Sequence, residues 1–286
     1  MKVAAVIAEI LKREGVSDLV CYPGNRIIEA AAEADIRPIV VRQERTGLHM
    51  CDAVGRLSSG RKTGVFAMQH GPGSENAFGG VAQAFGDSSP LLVLAQGYRR
   101  EIANRDPNFS SWQNFQRITK WAEQVNSPDH IVPAMRRAFA QLRSGRPRPV
   151  LLEIPFDVLH HEFAGAIDYT SPGQLRSGPD PRAVSDVAAA LVAAQRPVIY
   201  AGQGVHYARA WPQLKALAEL LEAPVATSLA GKSAFPETHP LSIGAGSIAV
   251  SGQLYHTLQA ADLICGLGCS FSITAFGIGM PKGKKI

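Results

Sequence analysis

The chain has 286 residues, of which 46% are hydrophobic and 19% charged. This balance is typical of a globular α/β protein with one large or two ordinary domains. No stretch reaches the ~18 apolar residues of a membrane span, and the first residues lack the apolar core of a signal peptide. We therefore expect a cytoplasmic protein without a membrane partner. The net charge of +5 comes from scattered basic residues, which argues against a nucleic-acid partner, since that would need a basic face or stripe.

The four cysteines predict neither a disulfide framework nor a metal site. Cys265 and Cys269 lie in an apolar, glycine-rich strand end, without a second cysteine pair or a nearby histidine. A zinc site is therefore not expected. The cysteines are interpreted as buried, reduced thiols.

Apolar strand-like runs alternate with helical runs over residues 1–164, which predicts a doubly wound parallel sheet with crossover helices. The pattern predicts helices over 3–14, from about 25, and over 44–60, 74–85 and 133–142. It predicts strands over 18–21, 38–42, 63–68, 91–96 and 150–155. On the helix over 44–60, the residues expected to face the core are Leu48, Cys51, Val54, Gly55 and Leu57.

Residues 165–181 are rich in Gly, Pro and Ser, lack periodicity and are predicted to form an interdomain linker. The alternating pattern then restarts and predicts a second doubly wound domain over residues 182–286. Its expected helices cover 182–194 and 211–221, and its expected strands cover 198–201, 225–228 and 263–267. We expect this second sheet to be incomplete, because the chain stops where a further strand should begin.

Glu44 directly follows the predicted strand over 38–42, at the edge where open parallel sheets bind ligands. A carboxyl group there can contact a ligand in a dry pocket. Alternatively, Glu44 only complements the positive end of the following helix, a contribution of about 0.3 to 1 kcal/mol. Position alone leaves both interpretations open.

Glycine turns follow two other predicted strands. Gly71-Pro72-Gly73 lies between one strand and the next helix, with Asn76 just beyond it, and Pro23-Gly24 follows the first strand. Glycines in such turns permit positive φ or close approach of a ligand, and a helix N-terminus can also bind phosphate. The turns alone therefore do not identify a ligand.

These features together resemble a known family. A strand ending in a carboxylate, a helix, the Gly-Pro-Gly turn and the Asp-x-x-Pro turn over 87–90 resemble the pyrimidine-binding domain of thiamine-diphosphate enzymes. The resemblance is to the acetolactate synthase and 2-oxo acid decarboxylase branch, and it assigns residues 1–164 to that domain. Residues 182–286, with motifs over 196–204 and 223–225, resemble part of the family's central Rossmann-like domain. The resemblance covers nearly the whole chain but only about half of the family's usual length.

The resemblance implies roles for these residues. Glu44 would hydrogen-bond the cofactor's aminopyrimidine ring and act catalytically. The residues that would shape the cofactor pocket are Pro23, Gly24, Gly71, Pro72, Gly73 and Asn76. Asn25, Gln69 and His70 would contact the substrate, although a lone histidine is more often structural. Asn25 replaces a glycine common in the synthases, and the segment over 109–120 also departs from their pattern, so the substrate stays open.

The implied activity is that of a thiamine-diphosphate-dependent lyase or transferase. It would decarboxylate a 2-oxo acid and either release an aldehyde or transfer the product to a second carbonyl. Family members form homodimers or homotetramers and hold Mg²⁺ through a Gly-Asp-Gly motif, which this sequence lacks. We therefore expect this chain alone to be inactive. FAD binding is not favoured, because Gly202-x-Gly204 lacks the third glycine and the acidic partner of a dinucleotide fingerprint.

Two other interpretations remain. A separate polypeptide carrying Gly-Asp-Gly would make this chain one subunit of a split enzyme, and co-purification would reveal it. Alternatively, the chain is a non-catalytic remnant or a regulatory binding protein. Folding without affinity for the cofactor would favour that second alternative.

Overall fold

A computed structural model describes residues 1–103 and 105–286 of the chain. They form two compact units, Met1–Ser177 and Gly178–Ile286, so the division falls within the predicted linker over 165–181. Both units contain parallel sheets with crossover helices, which confirms the predicted α/β class. In the described part of the chain, no helix is long and apolar enough to cross a membrane.

The described strands of the first unit form one parallel sheet in the order β2-β1-β3-β4-β6-β5. The central strands β3, β4 and β6 are buried along their whole length, as expected for strands covered by helices on both faces. The bounds are β1 (Asp18–Cys21), β2 (Arg37–Val40), β3 (Gly64–Met68), β4 (Leu91–Gly97), β5 (Trp121–Gln124) and β6 (Val150–Pro155).

Helices cover the two faces of this sheet with separate hydrophobic cores. On one face, α1, α2, α6 and α7 pack against the sheet. The other face is covered by α3, α4 and the segment around Phe115. The helices are α1 (Val3–Arg13), α2 (Ile27–Glu33), α3 (Glu44–Leu57), α4 (Pro72–Gly86), α5 (Ser111–Asn114), α6 (Ile131–Arg143) and α7 (Phe156–His160), with 3-10 turns at Gln116–Ile118 and Pro128–His130.

The core-facing side of α3 differs from the prediction. Leu48 and Cys51 are fully buried, but Val54 is 38% and Leu57 86% exposed, so the expectation that these two face inward was wrong. At 100° per residue, Leu57 lies well away from the side shared by Leu48 and Cys51. The helix also ends before residue 60, because Ser59 and Gly60 adopt positive φ angles that cannot continue it.

The predicted linker is not uniform in structure. Tyr169 is buried in the first core, and its hydroxyl donates a hydrogen bond to Glu14. Arg143 pairs with the same glutamate and also donates to Ser171, 2.7 Å away. The segment up to about Ser171 therefore packs on the first unit, while residues 173–180 are exposed.

The second unit has a parallel sheet in the order β10-β7-β8-β9 among the described strands. The edge strand β9 and the helix α11 were not predicted. The five residues of β9 include two glycines, and α11 is only 9 residues long. The cysteines on this unit are free but only partly buried, which corrects the expectation of burial. The bounds are α8 (Pro181–Ala193), β7 (Pro197–Ala201), α9 (Gly204–Ala208), α10 (Trp211–Leu221), β8 (Val225–Ser228), β9 (Ser242–Gly246), α11 (Gly252–Ala260) and β10 (Leu263–Leu267).

Candidate functional site

The predicted site residues meet at the carboxyl edge of the first sheet. Pro23, Gly24 and Asn25 follow β1, Glu44 follows β2, and the stretch 69–73 follows β3. Parallel strands end at the same edge, so loops that are distant in sequence become neighbours there. Pro23, Gly24 and Pro72 are exposed at this edge, whereas Gly71 and Gly73 are buried.

Glu44 is the first residue of α3 and only 4% exposed. Its Oε2 accepts a hydrogen bond from the Asn76 side-chain amide at 2.5 Å. Asn76 lies in α4, so this bond connects the two helices that begin at the carboxyl edge. Among the described residues no hydrogen bond reaches Oε1 of Glu44, which leaves that oxygen for a ligand.

The glycine turns leave room for the Gln69 side chain beside Glu44. A Cβ atom on Gly73 would lie 2.7 Å from Cγ of Gln69 and 3.3 Å from Oε1 of Glu44. A Cβ on Gly24 would lie 3.3 Å from the same Gln69 side chain. Gly71 has a φ of +56°, and a side chain there would collide with the Tyr98 hydroxyl. Larger residues at these glycines would therefore displace the groups around Glu44.

Asn25 is buried, and its amide is largely occupied by the backbone. Its Nδ2 donates to the carbonyls of Met68 at 2.8 Å and Leu94 at 3.1 Å. Its Oδ1 accepts from the Ile27 N–H at 3.0 Å, at the start of α2. The two Nδ2 bonds join the end of β3 to the middle of β4. The substrate contact predicted for Asn25 would therefore have to use the second lone pair of Oδ1.

His70 lies next to this cluster and packs against an aromatic ring. Its ring centroid is 4.4 Å from that of Tyr98, and its Nδ1 is 3.4 Å from Nε2 of Gln96. Partial burial lowers the pKa of His70. The imidazole is therefore expected to be neutral near neutral pH.

Gln96 lies at the site but was not predicted from the sequence as a site residue. It is 3% exposed near the end of β4. It lines a cavity of about 370 Å³, together with Pro23, Gly24, Asn25 and Phe156 among others. The signal in the sequence was a polar side chain that ends a run of pure aliphatics.

Glu153 was not predicted as a site residue, although it is a charged residue within an otherwise apolar strand. It is 2% exposed in β6. It accepts hydrogen bonds from the Trp112 N–H at 3.0 Å and from Nε2 of Gln124 at 2.6 Å. Burial raises the pKa of Glu153, and these hydrogen bonds partly oppose that rise.

Glu153 is connected to the glycine turn through two serines. Ser111 also hydrogen-bonds the Glu153 carboxyl group, and the Ser111 hydroxyl donates to the Ser74 hydroxyl at 2.7 Å. Ser74 is fully buried next to Gly73. These hydrogen bonds therefore connect the segment over 109–120, which departs from the synthase pattern, to the Gly71-Pro72-Gly73 turn beside Glu44.

The chain matches two domains of one known enzyme family. Residues 1–121 match the N-terminal TPP binding domain of thiamine pyrophosphate enzymes, and residues 184–285 match the central domain of the same enzymes. The chain belongs to the thiamine pyrophosphate enzyme family. The recognition made from the residues is therefore confirmed for both units.

Relatives of the chain within the thiamine pyrophosphate enzyme family include synthases and a decarboxylase. The acetolactate synthase large subunit of Parasynechococcus marenigrum is 34% identical, over 94% of this chain and 45% of the relative. Acetolactate synthase isozyme 3 large subunit of Escherichia coli is 29% identical, over 94% and 48%. The crystal structure of benzoylformate decarboxylase from Polynucleobacter necessarius superimposes with a TM-score of 0.84 at 25% identity, over 99% of this chain and 54% of that one. The chain spans about half the length of the curated relatives it matches.

The residues at the carboxyl edge fit the pyrimidine end of thiamine pyrophosphate, which is also called thiamine diphosphate. A buried carboxyl group with one free oxygen provides a hydrogen-bonding partner for a heterocycle, and Gly73 leaves space beside that oxygen. Within the described ranges no group of three or more His, Cys, Asp or Glu side chains is placed to hold a metal ion.

Proposed function

We propose that the protein is a thiamine-diphosphate-dependent enzyme that decarboxylates a 2-oxo acid. The observation that carries this proposal is the buried Glu44 carboxyl group, held on one oxygen by Asn76 and free on the other. Family membership and the relatives named above support it. Whether the product is released as an aldehyde or transferred to a second carbonyl is left to experiment, because both kinds of relative match.

Each residue of the site has a role in this proposal. Glu44 hydrogen-bonds the pyrimidine ring of the cofactor through Oε1, and Asn76 fixes the orientation of the carboxyl group. Gly73 keeps the space beside Oε1 open, and Gln69 and His70 contact the substrate. The chemistry that thiamine diphosphate supplies when bound is stabilisation of the negative charge left by decarboxylation.

We assign the diphosphate and its Mg²⁺ to a domain outside residues 1–286, on the same polypeptide or on a partner in a homodimer or homotetramer. A diphosphate needs a metal ion with hard oxygen ligands, and the sequence contains no Gly-Asp-Gly motif. The mass of the native polypeptide in its source cell tests this assignment. A mass near twice 30.5 kDa places the domain on the same chain, whereas a mass near 30.5 kDa requires a partner subunit.

The decisive test of the proposed function is Glu44→Gln in the complete protein. We expect the rate of 2-oxo acid decarboxylation to fall on the order of 10²- to 10⁴-fold, while the protein stays folded. Glu75→Gln is the matched control, because Glu75 lies in the nearby first turn of α4 but is exposed. Unchanged turnover in Glu44→Gln would contradict the role of Glu44. Wild-type protein that binds no thiamine diphosphate and converts no 2-oxo acid would favour a non-catalytic remnant or a regulatory protein.

A further inference from the structure

Gln96 has an unusual position for a polar side chain. It is buried at the carboxyl end of the central strand β4, yet it lines the cavity of about 370 Å³ beside the Pro23-Gly24 turn. The other cavity walls include the apolar side chains of Ile28, Val40 and Phe156. The lining also includes the exposed ion pair Arg26–Glu29. Gln96 and Asn25 are the two polar side chains of the lining that are buried.

The two ends of the Gln96 amide have different surroundings. Nε2 lies 3.4 Å from Nδ1 of His70. Oε1 is buried and has no hydrogen-bond partner among the described residues. Buried polar atoms are normally paired, so an unpaired acceptor on a residue that lines the cavity calls for an explanation such as a ligand. Asn25 offers no such atom, because its amide is bonded to the backbone.

The orientation of the amide is tied to the tautomer of His70. A neutral imidazole that carries its proton on Nε2 accepts the Gln96 N–H at Nδ1, and Oε1 then faces away from the ring. A proton on Nδ1 would require the opposite orientation of the amide, with Nε2 left as the free group. The His70 tautomer therefore determines whether the unpaired group of Gln96 is an acceptor or a donor.

We propose that Gln96 is a specificity-determining residue: its Nε2 holds His70, and its Oε1 accepts a hydrogen bond from the side chain of the substrate. The substrate class is a 2-oxo acid whose side chain carries a hydrogen-bond donor, such as a hydroxyl, amine or guanidine. This inference rests on the proposed function, because it names the substrate of the same site. A carboxylate or a ketone has no donor, so the 2-oxo acid group itself cannot satisfy Oε1.

A comparison of two substrates in the complete protein tests the substrate class. Sites built to bond a substrate hydroxyl or amine strongly reject the analogue that lacks it. We expect kcat/KM for 5-hydroxy-2-oxopentanoate to exceed that for 2-oxohexanoate in the wild type, and the ratio to fall at least about tenfold in Gln96→Leu. Gln83→Leu is the control, because Gln83 is an exposed glutamine of α4 and does not line the cavity. An unchanged ratio in Gln96→Leu would overturn the proposal.

The tautomer of His70 provides a readout that does not depend on activity. In protein labelled with ¹⁵N-histidine, we expect the His70 nitrogen shifts to report a proton on Nε2, and His70→Gln assigns the signal. Gln96→Leu should alter the Nδ1 shift, because the N–H that it accepts is lost. A proton on Nδ1 in the wild type would overturn the assignment of Oε1 as the free acceptor. Wild-type protein with the expected tautomer but no turnover of any 2-oxo acid would instead count against the proposed function.

Discussion

At the scale of single residues, Glu153 places a carboxyl group inside an otherwise apolar strand. Its two oxygens accept hydrogen bonds from Trp112 and Gln124. The bond from Trp112 fastens the segment around Ser111 to the sheet, and the bond from Gln124 joins β6 to the neighbouring strand β5. Ser111 in turn contacts Ser74 beside the glycine turn. A buried polar group of this kind is tolerated because its partners replace the water it has lost.

Removing the Glu153 carboxyl group should destabilise the first unit. Glu153→Leu would leave the partly buried Trp112 N–H and Gln124 amide without their acceptor, at a cost of up to about 1–3 kcal/mol for each unsatisfied group. We expect the midpoint of urea unfolding to fall accordingly. The exposed Glu101 provides the control, because Glu101→Leu should leave the midpoint nearly unchanged. Equal midpoints for the wild type and Glu153→Leu would show that the hydrogen bonds do not stabilise the fold.

The raised pKa of Glu153 predicts a pH dependence of stability. The protonated carboxyl group is favoured in the folded state, so its contribution is fully present below the ordinary pKa of glutamate. That contribution is lost as the pH rises through the raised pKa of the folded state. The unfolding free energy of wild type minus that of Glu153→Gln should therefore decrease as the pH rises above the ordinary pKa of glutamate, about 4.3. An increase over this range would mean that hydrogen bonding outweighs burial in setting the pKa.

At the scale of elements, the first turn of α4 has a glycine where neighbouring side chains approach closely, although glycine does not favour a helix. Gly73 is buried within this helix, and a Cβ atom there would contact the side chains of Gln69 and Glu44. A Cβ atom on Gly79 in the same helix would have only the Arg45 side chain within 4 Å. Glycine destabilises a helix interior by about 1 kcal/mol relative to alanine. The close approach at Gly73, which a Cβ would obstruct, explains why glycine is needed there.

The two glycines of α4 give a matched pair of substitutions. Gly73→Ala should weaken thiamine diphosphate binding at least about tenfold, because its Cβ would displace Gln69 beside Glu44. Gly79→Ala should leave the affinity unchanged and raise the free energy of unfolding by up to about 1 kcal/mol. Cofactor titration followed by calorimetry, together with thermal unfolding, measures both effects. Equal affinities in the two variants would show that the turn does not shape the cofactor pocket.

The sequence predicted the bounds of four strands. The strand bounds for β1, β6, β8 and β10 agree with the predicted ranges 18–21, 150–155, 225–228 and 263–267. The edge strands β5 and β9 were missed. Each has partly exposed residues and so lacks a continuous apolar run. Their strand conformation depends on pairing with a neighbour, which a local pattern does not record.

At the scale of the whole molecule, the segment over 165–181 changes from packed to exposed along its length. Its first part packs on the first core through Tyr169, and its later part is exposed and without secondary structure. Exposed segments without backbone hydrogen bonds are preferred sites of proteolysis. Arg176 lies within this exposed part.

Limited digestion with trypsin should therefore cut first after Arg176. We expect one fragment that ends at Arg176 and a second that begins at Ser177, both identified by mass spectrometry. Arg176→Gln should slow the first cut markedly, whereas Arg137→Gln should not, because Arg137 lies within the helix α6. A first cut within the first 164 residues would contradict this division of the chain.

The sequence by itself determined the α/β class, the alternation of strands and helices, and the family, because these follow from hydrophobic period and from motifs of adjacent residues. Only the tertiary structure decided which polar atoms are left free. Asn25 and Gln96 are both buried amides at the same sheet edge, yet the Asn25 amide is bonded to the backbone and Oε1 of Gln96 has no partner in the described chain. The difference depends on carbonyls and rings contributed by other strands. A sequence pattern records spacing along the chain, whereas hydrogen bonding depends on distances across it.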